Sequence, residues 1–129
     1  MKTLSLIAVA VAALAGCATA PTLANPDLDP SATEFTGWVR VSHGEFQLFQ
    51  EQRDLRGMPS ALRCVSGALP RDLQDTARDL SGSKVVFTGR AVAWNGRDGA
   101  QTMLHQGARI SNQCRADHVI KADAVRVLR

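Results

Sequence analysis

The feature that most restricts this 129-residue chain is the apolar run at its start. Leu4 to Ala15 holds one hydroxyl and no charge, and Lys2 precedes it. Twelve helical residues rise about 18 Å, against roughly 30 Å of hydrocarbon in a bilayer. The run is too short for a stable membrane span. With a basic residue before it and small residues after, it reads as the hydrophobic region of a secretory signal peptide over residues 1–16. The fold must then be built from the 113 residues between Cys17 and Arg129. That length suffices for one small domain and not for two.

The run ends in Leu14-Ala15-Gly16-Cys17, a large apolar residue, two small ones and a cysteine. This resembles the lipobox of bacterial lipoproteins. The resemblance implies cleavage before Cys17, thioether attachment of diacylglycerol to its thiol, and acylation of the new amino group. One acyl chain binds a membrane only marginally, whereas two signals anchor a protein stably. In that family an Asp directly after the lipidated cysteine tends to retain the protein in the inner membrane. The residue here is Ala18, which points to the outer membrane, facing the periplasm, if the cell is Gram-negative. Cys17 is thus the expected lipidation site, and the membrane an expected partner through its acyl chains.

Cleavage also changes the charge. The full chain carries 15 Lys and Arg against 12 Asp and Glu, with a pI near 9.1. Loss of Lys2 leaves 14 basic groups, acylation removes the amino-terminal charge, and the terminal carboxylate subtracts one more. The working protein sits near +1, too little for the clustered basic face of a nucleic-acid binder. No nucleic-acid partner is expected.

With Cys17 assigned to lipid, Cys64 and Cys114 remain as an even pair in an exported chain. Exported compartments favour disulfides. A bridge between them closes a loop of about 50 residues, for which chain entropy gives on the order of 4 kcal/mol.

Residues 17–33 read as the lipidated cysteine and a flexible tether. Three prolines, two aspartates and no apolar period occupy Ala18 to Thr33, and sixteen such residues span roughly 20 Å. The globular domain is expected over residues 34–129. Phe35 to Val41 and Glu45 to Gln50 read as a β-hairpin around Ser42-His43-Gly44. Leu62 to Ala68 reads as a third strand. Leu69, Leu73, Ala77 and Leu80 then recur at helical spacing, with Pro70 at the start and Gly82 at the end. Lys84 to Trp94 is the strongest strand, and Gly89 within it suggests a bulge. Asn95 to Gly99 is a turn. Gln101 to Cys114 reads as a strand interrupted at Gly107, and His118 to Leu128 supplies one last strand or two short ones.

The expected fold is mostly β with one helix. The order of three strands, a helix and two or more strands resembles an OB-fold, a small five- or six-stranded Greek-key barrel. The alternative is an α+β antiparallel sheet with one packed helix.

Candidate chemistry is sparse. His43, Glu45, His105 and His118 are candidate metal ligands or acid–base groups, but none stands at HxxxH or HExxH spacing, and they read as separate residues. Ser66-Gly67 lacks the flanking glycines of a nucleophile elbow. Asp72, Asp75 and Asp79 alternate with Arg71 and Arg78 as a solvated helix face. No cofactor, metal site or catalytic group is expected. Trp38, Arg40, Arg90 and Trp94 sit in strand runs and together suggest a cationic, aromatic contact face of the kind OB-folds use. The expected function is a non-enzymatic binding or scaffold domain for an envelope protein or glycan. The alternative is a small hydrolase or metal-dependent enzyme using His43, His105 or His118.

Overall fold

A computed structural model describes residues 22–57, 64–96 and 101–129. The apolar run, the lipobox with Cys17, the start of the expected third strand and Arg97 to Gly99 of the expected turn lie outside the described residues. The described residues form seven strands, β1 (Glu34–Ser42), β2 (Glu45–Phe49), β3 (Cys64–Ala68), β4 (Lys84–Ala93), β5 (Met103–His105), β6 (Ala108–Ile110) and β7 (His118–Val127), with one α-helix, α1 (Gln74–Arg78), between β3 and β4. Strands β1, β2, β3, β7 and β4 close a barrel in that order, and β5 and β6 form a separate hairpin. All barrel pairs are antiparallel except β3 with β7. The mostly β, OB-like barrel expected from element order is the fold observed, with the β5–β6 hairpin inserted before the last barrel strand.

The alternation in β1 works as period-two burial requires. Phe35, Gly37 and Val39 are buried, while Glu34, Thr36 and Arg40 are not. The β1–β2 connection is a two-residue turn in which His43 and Gly44 have φ of 53° and 80°. Two consecutive positive values match the twist of a tight hairpin. Phe46 and Phe87 stack inside the barrel with centroids 3.8 Å apart, and Val39, Val65, Val85 and Ile120 fill the rest of that core.

Gly89 lies at the expected irregularity, where the β4–β7 register shifts between Thr88 and Gly89. A Cβ there would stand 2.2 Å from the Lys121 carbonyl oxygen. Gly89→Ala is therefore expected to cost about 2–3 kcal/mol, an overpacking penalty against backbone. A urea midpoint within error of the parent would refute this close approach.

The helix is shorter than its periodicity suggests. Arg71–Leu73 is a 3-10 turn, and α1 holds five residues. The Arg71 N–H bonds the Gln106 carbonyl, and the Gly82 N–H bonds that of Val39 at 2.7 Å. Gln106 thus satisfies a donor that any helix start leaves open, and Val39 takes up the Gly82 N–H that a longer helix would bond internally. Ala77 is buried and Leu80 packs on the barrel core, whereas Leu73 is exposed.

The expected tether is largely part of the domain. Leu23 forms a parallel bridge with Ala116, donating to the Arg115 carbonyl at 3.1 Å and accepting from Asp117 at 2.9 Å. Asn25, buried, donates to the Cys64 carbonyl. Leu28 and Ala32 pack against the barrel core. From Leu23 on, residues that read as tether are packed against the barrel, because irregular backbone without a period can still be satisfied by strand ends.

Candidate functional site

OB barrels take ligands on the outer face of their second and third strands and on the neighbouring loops. Here that face is Glu45, Gln47 and Phe49 on β2, opposite Ala68 side by side with Ser66 and Cys64 on β3. It is covered by the protein's own chain. All five residues of each strand are buried. The cover is the segment following β6, residues 111–116, which arrives through Cys114.

Two devices hold that segment down. Cys114 and Cys64 form a disulfide, with Cα atoms 5.5 Å apart. The Glu45 carboxylate, 4% exposed, accepts four hydrogen bonds. These come from the Ser111 hydroxyl and from the backbone N–H groups of Ser111 at 3.1 Å, Asn112 at 2.9 Å and Gln113 at 3.4 Å. Asn112, at φ 60°, turns the chain so that successive N–H groups converge, an arrangement suited to an anion. The Cys114 N–H donates to the Ser66 hydroxyl at 3.0 Å, and Gln47 Nε2 to Gln113 Oε1 at 3.2 Å. Gln47 Oε1 and Asn112 Oδ1 are buried with no partner among the described residues. Glu45 is thus a clamp for a loop 66 residues away, a role its place at a strand start does not advertise.

The four residues expected to share a contact face are divided. Trp38 packs with Leu55 on a small cluster of Phe49 and the disulfide. Arg40 lies beside the same cluster, its guanidinium 5.1 Å from the Phe49 ring centroid. Arg40 also donates to the carbonyls of Leu55 at 2.8 Å and Gly57 at 3.0 Å, so it secures the 3-10 segment Gln52–Arg56. Trp94 is buried in a different cluster, with Met103, Ile110 and Val119 under the β5–β6 hairpin. Arg90 is exposed on β4 opposite Lys121. The structure brings Trp38 and Arg40 together and leaves Trp94 and Arg90 elsewhere.

The histidines are also apart. His43 occupies the β1–β2 turn, and its neighbour Gly44 faces Gln74 of α1. His118 begins β7 at the opposite end of the barrel and contacts Asp117 at 3.0 Å. His105 is buried, with Nε2 at 2.7 Å from the Ala122 carbonyl, which ties the hairpin to β7. Among the described residues no three His, Cys, Asp or Glu side chains are grouped as metal ligands.

A cavity of about 310 Å³ lies where the N-terminal segment crosses the barrel mouth. Leu28, Ala32, Phe35, Leu48 and Val65 give it apolar walls, and Asp27, Asp29, Glu34 and Lys84 also line it. The Ser31 hydroxyl and N–H, both bonded to the Asp29 carboxylate, hold that carboxyl below its usual range. Barrel mouths are common ligand positions, and this volume is at the small end of the usual 300–1,000 Å³ or so. The cavity was not legible in the sequence, since five of its fourteen lining residues come from the segment that read as tether.

No protein family matches the chain, and neither a curated protein nor a solved structure resembles it at a significant level. Its function has to be argued from its own residues.

Proposed function

We propose that this protein is a lipid-anchored, non-enzymatic binding module of the bacterial envelope, held in the outer membrane by acyl chains on Cys17. The observation that carries the reading is Leu14-Ala15-Gly16-Cys17, placed where the apolar run stops. A disulfide-closed barrel is compatible with an oxidising, exported setting. The mouth cavity is the place for a ligand. Its size suits one sugar residue of a glycan or one inserted side chain of an envelope protein, and its carboxylates favour a partner that presents hydrogen-bond donors or a cation.

Radiolabelled palmitate fed to cells making the full-length chain is expected to label the wild type and not the Cys17→Ser variant. Equal labelling of both, or of neither, would remove the anchor. Pull-down from solubilised envelopes, with Leu28→Trp as a cavity-filling control, tests the binding half. A specific partner lost on filling the cavity is the expected result, and retention in full would place the contact elsewhere.

A further inference from the structure

Leu23 is pinned between Arg115 and Asp117 by two backbone hydrogen bonds. Five residues, Ala18 to Thr22, separate it from Cys17. Six Cα–Cα steps reach at most roughly 20 Å. A domain of this size is about 34 Å across, from the usual scaling of its radius of gyration. The connection is therefore shorter than the domain it carries.

The strand registers define two poles. At one lie the start of β7 and the end of β4, paired at His118 and Ala93. The end of β2 and the start of β3 join them there, paired at Phe49 and Cys64. The disulfide, the Gln52–Arg56 segment packed on it through Leu55, and Leu23 belong to this pole. At the other pole lie the His43–Gly44 turn and α1, in contact through Gly44 and Gln74.

Resting on the lipid-anchor reading, we propose that the disulfide pole is the membrane-facing surface of the domain. Leu23 and the Gln52–Arg56 segment lie against the lipid headgroups there, and the α1 pole is directed away. The short connection excludes the reverse orientation, since an α1 pole resting on lipid would lift Leu23 further than Cys17 can follow. The pole also has a side chain suited to that neighbour. Leu23 is 54% exposed, and Arg56 is exposed beside the disulfide cluster together with Arg53, which is ion-paired with Glu51. Apolar tips with flanking arginines suit the boundary between headgroups and acyl chains.

The test uses the full-length lipidated protein in vesicles of phosphatidylethanolamine and phosphatidylglycerol. Leu23→Cys and Arg56→Cys report on one pole, and Thr76→Cys and Asp79→Cys on the other. Each is labelled with a small fluorophore without reductant, so that the native disulfide stays closed. A quencher carried on lipid headgroups is expected to dim the first pair several-fold more than the second. Equal quenching at both poles, or stronger quenching at α1, would overturn the orientation while leaving the anchor intact. Protein that floats with vesicles no better than Cys17→Ser would overturn the anchor reading itself, and the orientation with it.

Discussion

Replacing Cys64 and Cys114 together by serine is expected to lower the unfolding free energy by about 4 kcal/mol. The loop closed by the bridge spans a sequence separation of 50 residues, and this is the chain-entropy cost of leaving such a loop open in the unfolded state. For a domain near 100 residues the melting temperature should fall by roughly 15–30 °C. The native state should loosen as well. Cys114 anchors residues 111–116 over the outer face of β2 and β3, so amide exchange there should rise before exchange in the barrel strands does. Urea denaturation of the two proteins side by side decides the matter. A loss under about 1 kcal/mol would mean that the cross-link contributes little and that packing alone holds the loop.

Glu45→Ala should cost about 3–4 kcal/mol. The carboxylate is buried and takes three backbone N–H groups and one hydroxyl from Ser111 to Gln113. Removing it leaves buried donors without an acceptor, and charged-group hydrogen bonds carry about 1.5–3 kcal/mol each before compensation by water. Glu45→Gln keeps the shape but turns an amide N–H₂ toward donors, so it should recover only part of the loss. The loop has two fasteners, and they act on the same segment. Combining Glu45→Ala with the double serine variant should therefore give less than the sum, by about 1 kcal/mol or more, because contacts that share a segment couple. Strict additivity in the thermodynamic cycle would show that Glu45 and the disulfide stabilise separate parts of the molecule.

The strands that were legible are those whose environment is set by near neighbours. In β1, burial alternates with the pleat, and in β4 the bulge at Gly89 falls where a glycine interrupts a run of strand-forming residues. The helix was overextended for an instructive reason. Leu69 and Leu73 stand four apart, but Leu69 is buried in the barrel core directly after β3, and Leu73 is exposed on the 3-10 turn. Helical spacing between them is a coincidence of two different environments. The N-terminal segment was missed because Asn25, Leu28 and Ala32 pack through irregular backbone, which leaves no periodic trace.

Site residues proved harder for a related reason. Trp94 lies just beyond β4, in the strand run that carries Arg90, yet it turns into the cluster beneath the β5–β6 hairpin. Arg40 looks like a recognition residue from its type and place. Its guanidinium is taken up by two carbonyls and the face of Phe49. Nothing in the residues around Glu45 foretells that a distant loop will bury it.

The amino-acid sequence by itself determined the class of fold and the pairing of cysteines. Strand and helix periods, turn residues and the number of thiols left once Cys17 is read as a lipidation site are local or countable properties. Only the tertiary structure decided which surfaces remain open. It laid residues 22–33 across the barrel mouth, closed the outer face of β2 and β3 with residues 111–116, and left a cavity between the first segment and the barrel. Those outcomes depend on contacts between residues far apart in the chain, whose geometry exists only once the barrel has closed.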